Sequence, residues 1–240
     1  MSITATNLTA GSSGTDSQTY NTASVSPGAN RLILVPVTIR NYTAANLGTI
    51  SLSGNGLTWV EVATVTYSSI ASSQNRTSIF RAMGASPSAG AITITISGSG
   101  QTACAWSVDE FDGVDTSGTN GSGAIVQYDT DATDNATGTP PAVTLAALAD
   151  AVNNAVYAVH GNAQLRLLTP GGSYNELADQ NTGVAIHSMW LLPGTTTPTV
   201  TGFSSGDDCG GIAVEIKASA GGGGPTPSRA GTLGLLGIGI

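Results

Sequence analysis

One stretch of this chain returns, and the return limits what the chain can fold into. Thr102–Val114 reads TACAWSVDEFDGV, and Asp208–Ala218 reads DCGGIAVEIKA. With Cys104 set on Cys209, Glu110 falls on Glu215, Val108 on Ala213 and Phe111 on Ile216. Each stretch has the length and the side chains of a single strand. A strand recurring late in each half implies a recurring unit. Further matches follow in the same order. Thr133-Asp134 echoes Thr15-Asp16, Val143 echoes Val25, and 155–159 echoes 32–37. Ser173–Leu177 echoes Thr58–Val62, placing Glu176 on Glu61, and Ala185–Met189 echoes Ser78–Met83, with Ile186 on Ile79. The offset shortens toward the cysteines, as in a diverged repeat whose second copy has shorter loops.

Between these matches the chain reads as short strands and turns. Tyr20–Val25 precedes the Ser26-Pro27-Gly28 turn. Arg31–Ile39 is a nearly continuous apolar run suited to the centre of a sheet, where Pro36 demands a bulge or an unpaired amide. Leu47–Leu52, Leu57–Tyr67, Thr77–Met83 and Ala91–Ser97 are further strands, and Ser68–Asn75 reads as a polar loop. In Ala142–Val152 a helix competes, because Leu145, Leu148 and Val152 have helical spacing; strand then turn is favoured by the repeat. The expected fold is all-β: two tandem jelly-roll-like β-sandwich repeats. The expected boundaries are an N-terminal arm or first edge strand (1–19), repeat 1 (20–113), a connector (114–124), repeat 2 (125–218), a Gly/Pro linker (219–228) and an apolar tail (229–240).

Composition narrows the function classes. Charged residues are only 9% of the chain, with 15 acids against 7 bases, where ordinary domains carry about 25%. The bases are scattered, so no patch neutralises several phosphates and nucleic-acid binding is not expected. No basic amphipathic stretch points to a membrane, and the opening MSITATNLTAGSSGTD lacks the pattern of a secretory signal. The surface is one of hydroxyls and backbone, which suits a protein held in a large assembly or exposed outside cells.

Candidate chemistry is sparse. Cys104 and Cys209 are the only cysteines; they form a disulfide if the fold brings their Cα atoms within about 7 Å, and otherwise act as buried thiols. Asp129, Asp131 and Asp134 carry the oxygen chemistry of a calcium site, without the glycine and terminal glutamate of an EF-hand; solvated carboxylates are the simpler reading. His160 and His187 lie on separate strands and read as ordinary histidines. Glu61, Glu110, Glu176 and Glu215 would serve a glycosidase only as a pair facing each other across a cleft; their recurrence suggests a structural role. Trp59, Trp106 and Trp190, with Tyr174, are either a sugar platform or core anchors. No metal, cofactor or catalytic residue is assigned, and the chain is not expected to be an enzyme. In the tail, Arg229, Leu233, Leu235, Leu236, Ile238 and Ile240 are the candidate assembly residues, with too few residues to span a bilayer and a composition suited to docking on another chain.

The run SVSPGANRLILVPV, GLTWVEV, SIFRAM, AITITISG, AWSVDEFDGVD and the closing GIAVEIKAS resembles the tandem β-sandwich modules of phage virion proteins and of bacterial surface or secreted proteins. PTPSRAGTLGLLGIGI resembles a truncated PEP-CTERM sorting tail. Taken with the all-β repeat, low charge, sparse chemistry, lack of a signal pattern and apolar tail, the first resemblance leads to the expectation of a bacteriophage virion protein, a capsid decoration (cement) protein or another head or tail surface component. Its partners would be capsid or other virion proteins and further copies of itself, with a cyclic trimer expected and no nucleic acid or membrane. The alternatives are an extracellular or cell-surface glycan-binding module and a jelly-roll glycoside hydrolase.

Overall fold

The apolar run at 32–39 forms a strand buried on both faces, and the architecture is built outward from it. The computed structural model describes residues 2–41, 47–70, 73–98 and 102–220. In the first half the strands are β1 (Thr4–Ser13), β2 (Thr19–Asn21), β3 (Leu32–Asn41), β4 (Ile50–Ser53), β5 (Val60–Ile70), β6 (Ser73–Ala82), β7 (Thr93–Ile96) and β8 (Ala103–Asp112). A short 3-10 turn (Ser122–Ala124) leads into the second half. There the strands are β9 (Ile125–Thr137), β10 (Ala155–Asn162), β11 (Thr169–Pro170), β12 (Asn175–Gln180), β13 (Ala185–Leu191), β14 (Val200–Thr201) and β15 (Ser205–Ile216).

The first half has a five-stranded sheet in the order β1-β8-β3-β6-β5 and a three-stranded sheet β2-β7-β4. Strand 1 thus pairs with 8, 2 with 7 and 3 with 6, all antiparallel; these are three of the four pairs of a jelly roll, and among the described residues the fourth is missing, because β4 pairs with β7 and β5 with β6. The second half repeats the order as β9-β15-β10-β13-β12, with β11-β14 as its smaller sheet. The registers correspond as well. Glu110 lies opposite Ile33 and Cys104 opposite Ile39; Glu215 lies opposite Val156 and Cys209 opposite Asn162. Both β5 and β12 carry a bulge directly after their glutamate, Glu61 and Glu176.

The two five-stranded sheets pack face to face. β1 lies against β12 and β5 against β9, so each half's first strand meets the other half's fifth. Strand alternation then sends side chains to two different cores. Leu32 and Leu34 enter the central core with Ala105, Phe111, Tyr157, Val159, Ile186, Ile212 and Val214. Ile33, Val35, Val37 and Ile39 point outward into a second core closed by Tyr20, Ile50, Ile92, Ile94 and Ile96. Val156, Ala158, Met189 and Ala213 do the same in the second half beneath Val143, Leu145, Leu168 and Val200. This double demand is why β3 and β10 carry continuous apolar runs.

The sheets also interlock. Gly161 and Gly210 leave room for Tyr67 of the facing sheet: a Cβ on either glycine would sit 2.5 Å from the tyrosine. Toward β1, Asp109 accepts hydrogen bonds from Tyr157 Oη (2.6 Å), Ser107 Oγ (2.5 Å) and Asn7 Nδ2 (2.8 Å), tying both sheets to one buried carboxyl. Burial pushes its pKa up against the pull of those donors.

Several expectations are corrected. Of the two readings of 1–19, the edge strand holds and the arm does not: Thr4–Ser13 is the edge strand of the first sheet, paired along its length with β8, and Ile3 is buried in the central core. Within the expected loop at 68–75, Ser68–Ile70 and Ser73–Asn75 are strand, because β5 runs to Ile70 and β6 starts at Ser73. Ala142–Val152 forms no helix and no strand. Pro36 keeps register without a bulge; the ladder from β3 to β8 is interrupted between Leu34 and Val37, where its missing amide would fall. The linker from residue 221 and the assembly tail (229–240) lie outside the described residues.

Candidate functional site

The repeated glutamates are structural staples. Glu110, on central strand β8, accepts from Gly28 N (2.5 Å) and Arg31 Nη1 (2.6 Å), clamping the turn that enters β3. Glu215, on β15, accepts from Ala149 N (2.8 Å), Asn154 Nδ2 (2.6 Å) and Gln127 Nε2 (2.7 Å), clamping the segment that enters β10. Both are buried, and they sit on the outer faces of the two sheets with the central core between them. Glu61 and Glu176 lie on β5 and β12, at opposite edges of the stack. These two pairs do not face each other across a cleft.

The aspartates proposed for calcium lie on a strand rather than in a loop. Asp129 Oδ2 accepts from Thr144 N (2.9 Å) and Asp131 Oδ2 from Ala142 N (2.6 Å), pinning the segment that covers the outer core. Among the described residues, no three His, Cys, Asp or Glu side chains converge as metal ligands. Cys104 and Cys209 are both free and buried. Each points to the outer face of its own sheet, and Cys209 Sγ lies 2.9 Å from Thr133 Oγ1. Burial pushes both thiols up, Cys209 to about 12. Trp106 belongs to the first outer core and Trp59 packs against it; Trp190 packs on the central core and Tyr174 on the second outer core.

The second sheet carries a polar row that sequence reading missed. Asp179, His187, His160, Gly211 and Asp131 stand opposite one another across β12, β13, β10, β15 and β9. The imidazole rings of His160 and His187 are 6.3 Å apart, and Phe203 lies edge-on to His160 at 6.5 Å. Both rings are buried and all four of their nitrogens lack hydrogen-bond partners. Glu176 Oε2 is 3.6 Å from His187 Nε2. Burial, with His187 beside it, holds His160 down at about 3; burial alone holds His187 at about 4. Asp179 moves the other way, to about 6, through burial opposed by the Leu168 amide and helped by Glu176.

A pinned loop follows β10. Asn162 Oδ1 accepts from Gln164 N (2.8 Å) and Arg166 N (3.2 Å). Gln164 exchanges two bonds with Asp208, donating Nε2 to Oδ2 (2.8 Å) and accepting from the amide (2.9 Å). Arg166 Nε pairs with the buried Asp207 at 3.1 Å, and Leu168 N donates to Asp179 Oδ2 (2.8 Å). Arg40 of the first sheet donates to Ala163 O (2.6 Å). The loop so fixed holds Leu165 at φ 59, a left-handed conformation that costs a branched aliphatic residue about 1–2 kcal/mol. It displays Leu165 and Leu167, 40% and 62% exposed. The other large exposed apolar side chains among the described residues are Val126, Tyr128 and Val152. The signal in the sequence was QLRLL, in which leucines alternate with long polar residues directly after an apolar strand.

No family model, curated protein or solved structure matches the chain.

Proposed function

We propose that this protein is a structural component of a bacteriophage virion, a capsid decoration protein or another head or tail surface component, working by adhesion to neighbouring chains. The observation that carries the reading is the pinned loop. Seven hydrogen bonds and one ion pair hold a strained backbone so that two leucines face water. Exposing leucines at a conformational cost gains nothing for an isolated molecule and suits a contact surface. The rest of the molecule fits that reading: Glu110 and Glu215 hold loops, and both five-stranded sheets share one central core. We also read the matched strand orders and registers as descent from one duplicated jelly-roll unit.

Particles purified from cells carrying the gene test the reading. Mass spectrometry is expected to find the chain in stoichiometric amounts, and antibody labelling to mark intact particles. Particles that form and lack the chain would overturn it.

A further inference from the structure

We infer that the apolar segment 229–240 of one copy docks on the Leu165–Leu167 loop of a second copy, joining the chains head to tail. The inference rests on the adhesive reading above and names the contact. The loop sits beside Asp207 and Asp208, at the start of β15. The chain leaves the described structure at Ala220, past the far end of the same strand.

From Asp208 to Ile216 the strand advances roughly 27 Å. Residues 221–228 reach at most about 29 Å when fully extended. Docking within one molecule would use that reach completely and fold the chain back along its own sheet. Docking on a neighbour meets no such limit. A docking place beside the exit, near Val152, would need no Gly/Pro spacer at all. The segment RAGTLGLLGIGI offers leucines and isoleucines, the chemistry that Leu165 and Leu167 are placed to meet. A head-to-tail contact closes into a ring when its rotation permits, which is compatible with the trimer expected from the sequence.

Complementation between full-length variants tests this. One variant carries Leu165→Asp and Leu167→Asp; the other carries Leu235→Asp and Leu236→Asp. The loop variant keeps its fold, since both leucines are exposed and aspartate accepts a left-handed backbone better than leucine. Sedimentation velocity is expected to show an oligomer for the unaltered chain and a monomer for each variant alone. Their equimolar mixture is expected to give a species of twice the monomer mass, joining the one intact loop to the one intact tail. The inference fails if the mixture stays monomeric, if either variant keeps the unaltered mass, or if the unaltered chain is itself a monomer. It also fails if Val126→Asp with Val152→Asp, rather than the loop variant, abolishes assembly, because the contact is then at the exit end. Particle labelling that stays positive while complementation fails leaves the adhesive reading standing and removes only this contact.

Discussion

On the outer face of the first central sheet, Val37 and Ile39 of β3 lie beside Ser78 of β6 and Trp106 and Cys104 of β8, under a three-stranded cover. At the same register on the second, His160 and Asn162 of β10 lie beside His187 of β13 and Gly211 and Cys209 of β15, under a two-stranded one. The volumes compensate. Trp106 stands beside Val37, whereas Gly211 stands beside His160, and a Cβ there would already lie 3.4 Å from the imidazole. A register therefore fixes where side chains point and leaves their chemistry free, provided that large and small residues exchange places. The first outer face is an apolar core with a single unpartnered ring nitrogen, Trp106 Nε1, against four imidazole nitrogens on the second. The second keeps buried nitrogens without partners, each a cost of about 1–3 kcal/mol if no water reaches it.

The comparison assumes two halves sharing one core, and cutting them apart tests that assumption most severely. Severed between residues 114 and 124, each half would expose a sheet face that includes Leu32, Leu34 and Phe111 or Tyr157, Val159 and Ile212. Neither half alone is expected to show a cooperative urea transition, and both are expected to bind a hydrophobic dye. A half that melts cooperatively by itself would show two domains and end the comparison at this level.

A second test compares the two staples. Glu215→Ala is expected to cost about 3 kcal/mol, since it orphans the buried Asn154 amide and the Ala149 N–H while Gln127 keeps the Ala146 carbonyl, and Glu110→Ala about 2 kcal/mol, since Arg31 remains partly solvated. Urea midpoints measure both. Equal losses would mean that the extra donor of the second half adds nothing.

How much of this was legible varies by element, for physical reasons. The apolar runs at 32–39 and 155–159 announced central strands, because two buried faces leave no polar alternation to misread. Glu110 and Glu215 could be matched by sequence and do share a register. Ile79 and Ile186 were matched two residues out: paired with the same positions of β3 and β10, Ile79 corresponds to Ser188 and Ile186 to Thr77. A slip of two keeps every side chain on its face, so periodicity cannot detect it. The ends of β5 and β6, at Ile70 and Ser73, were hidden because hydroxyls and amides outnumber apolar residues there. The polar row was illegible because His160 and His187 are 27 positions apart in sequence, and only the pairing of β10 with β13 brings them together. The pinned loop was hidden for the same reason, since Asp207 and Asp208 reach it from another strand.

The finest test turns the second outer face toward the first with His160→Val and His187→Ser, the residues found at Val37 and Ser78. At pH 7 the change removes unpartnered nitrogens and opens space beside Gly211, so a net effect of about 1 kcal/mol in either direction is expected. Acid separates the two proteins. The folded histidines titrate at about 3 and 4, below the unfolded value of about 6.5. The unfolded chain therefore binds more protons as pH falls below 6.5. Stability is full above that pH and declines toward the folded values by up to about 1.4 kcal/mol per unit for each histidine. Asp179 opposes this, because its folded value near 6 lies above the unfolded 3.9 and makes the fold bind a proton between those values. Glu176 beside His187 and Phe203 over His160 complete the surroundings. Two histidines against one aspartate leave a net loss of about 1–2 kcal/mol between pH 7 and 5.5 in the unaltered protein. In the double variant the Asp179 contribution remains alone, so stability is expected to hold or rise slightly over the same interval. Urea unfolding at pH 7, 5.5 and 4 measures the slope. An unchanged slope in the variant would mean that water already solvates the imidazoles, and that the two outer faces differ less in their energetics than in their residues.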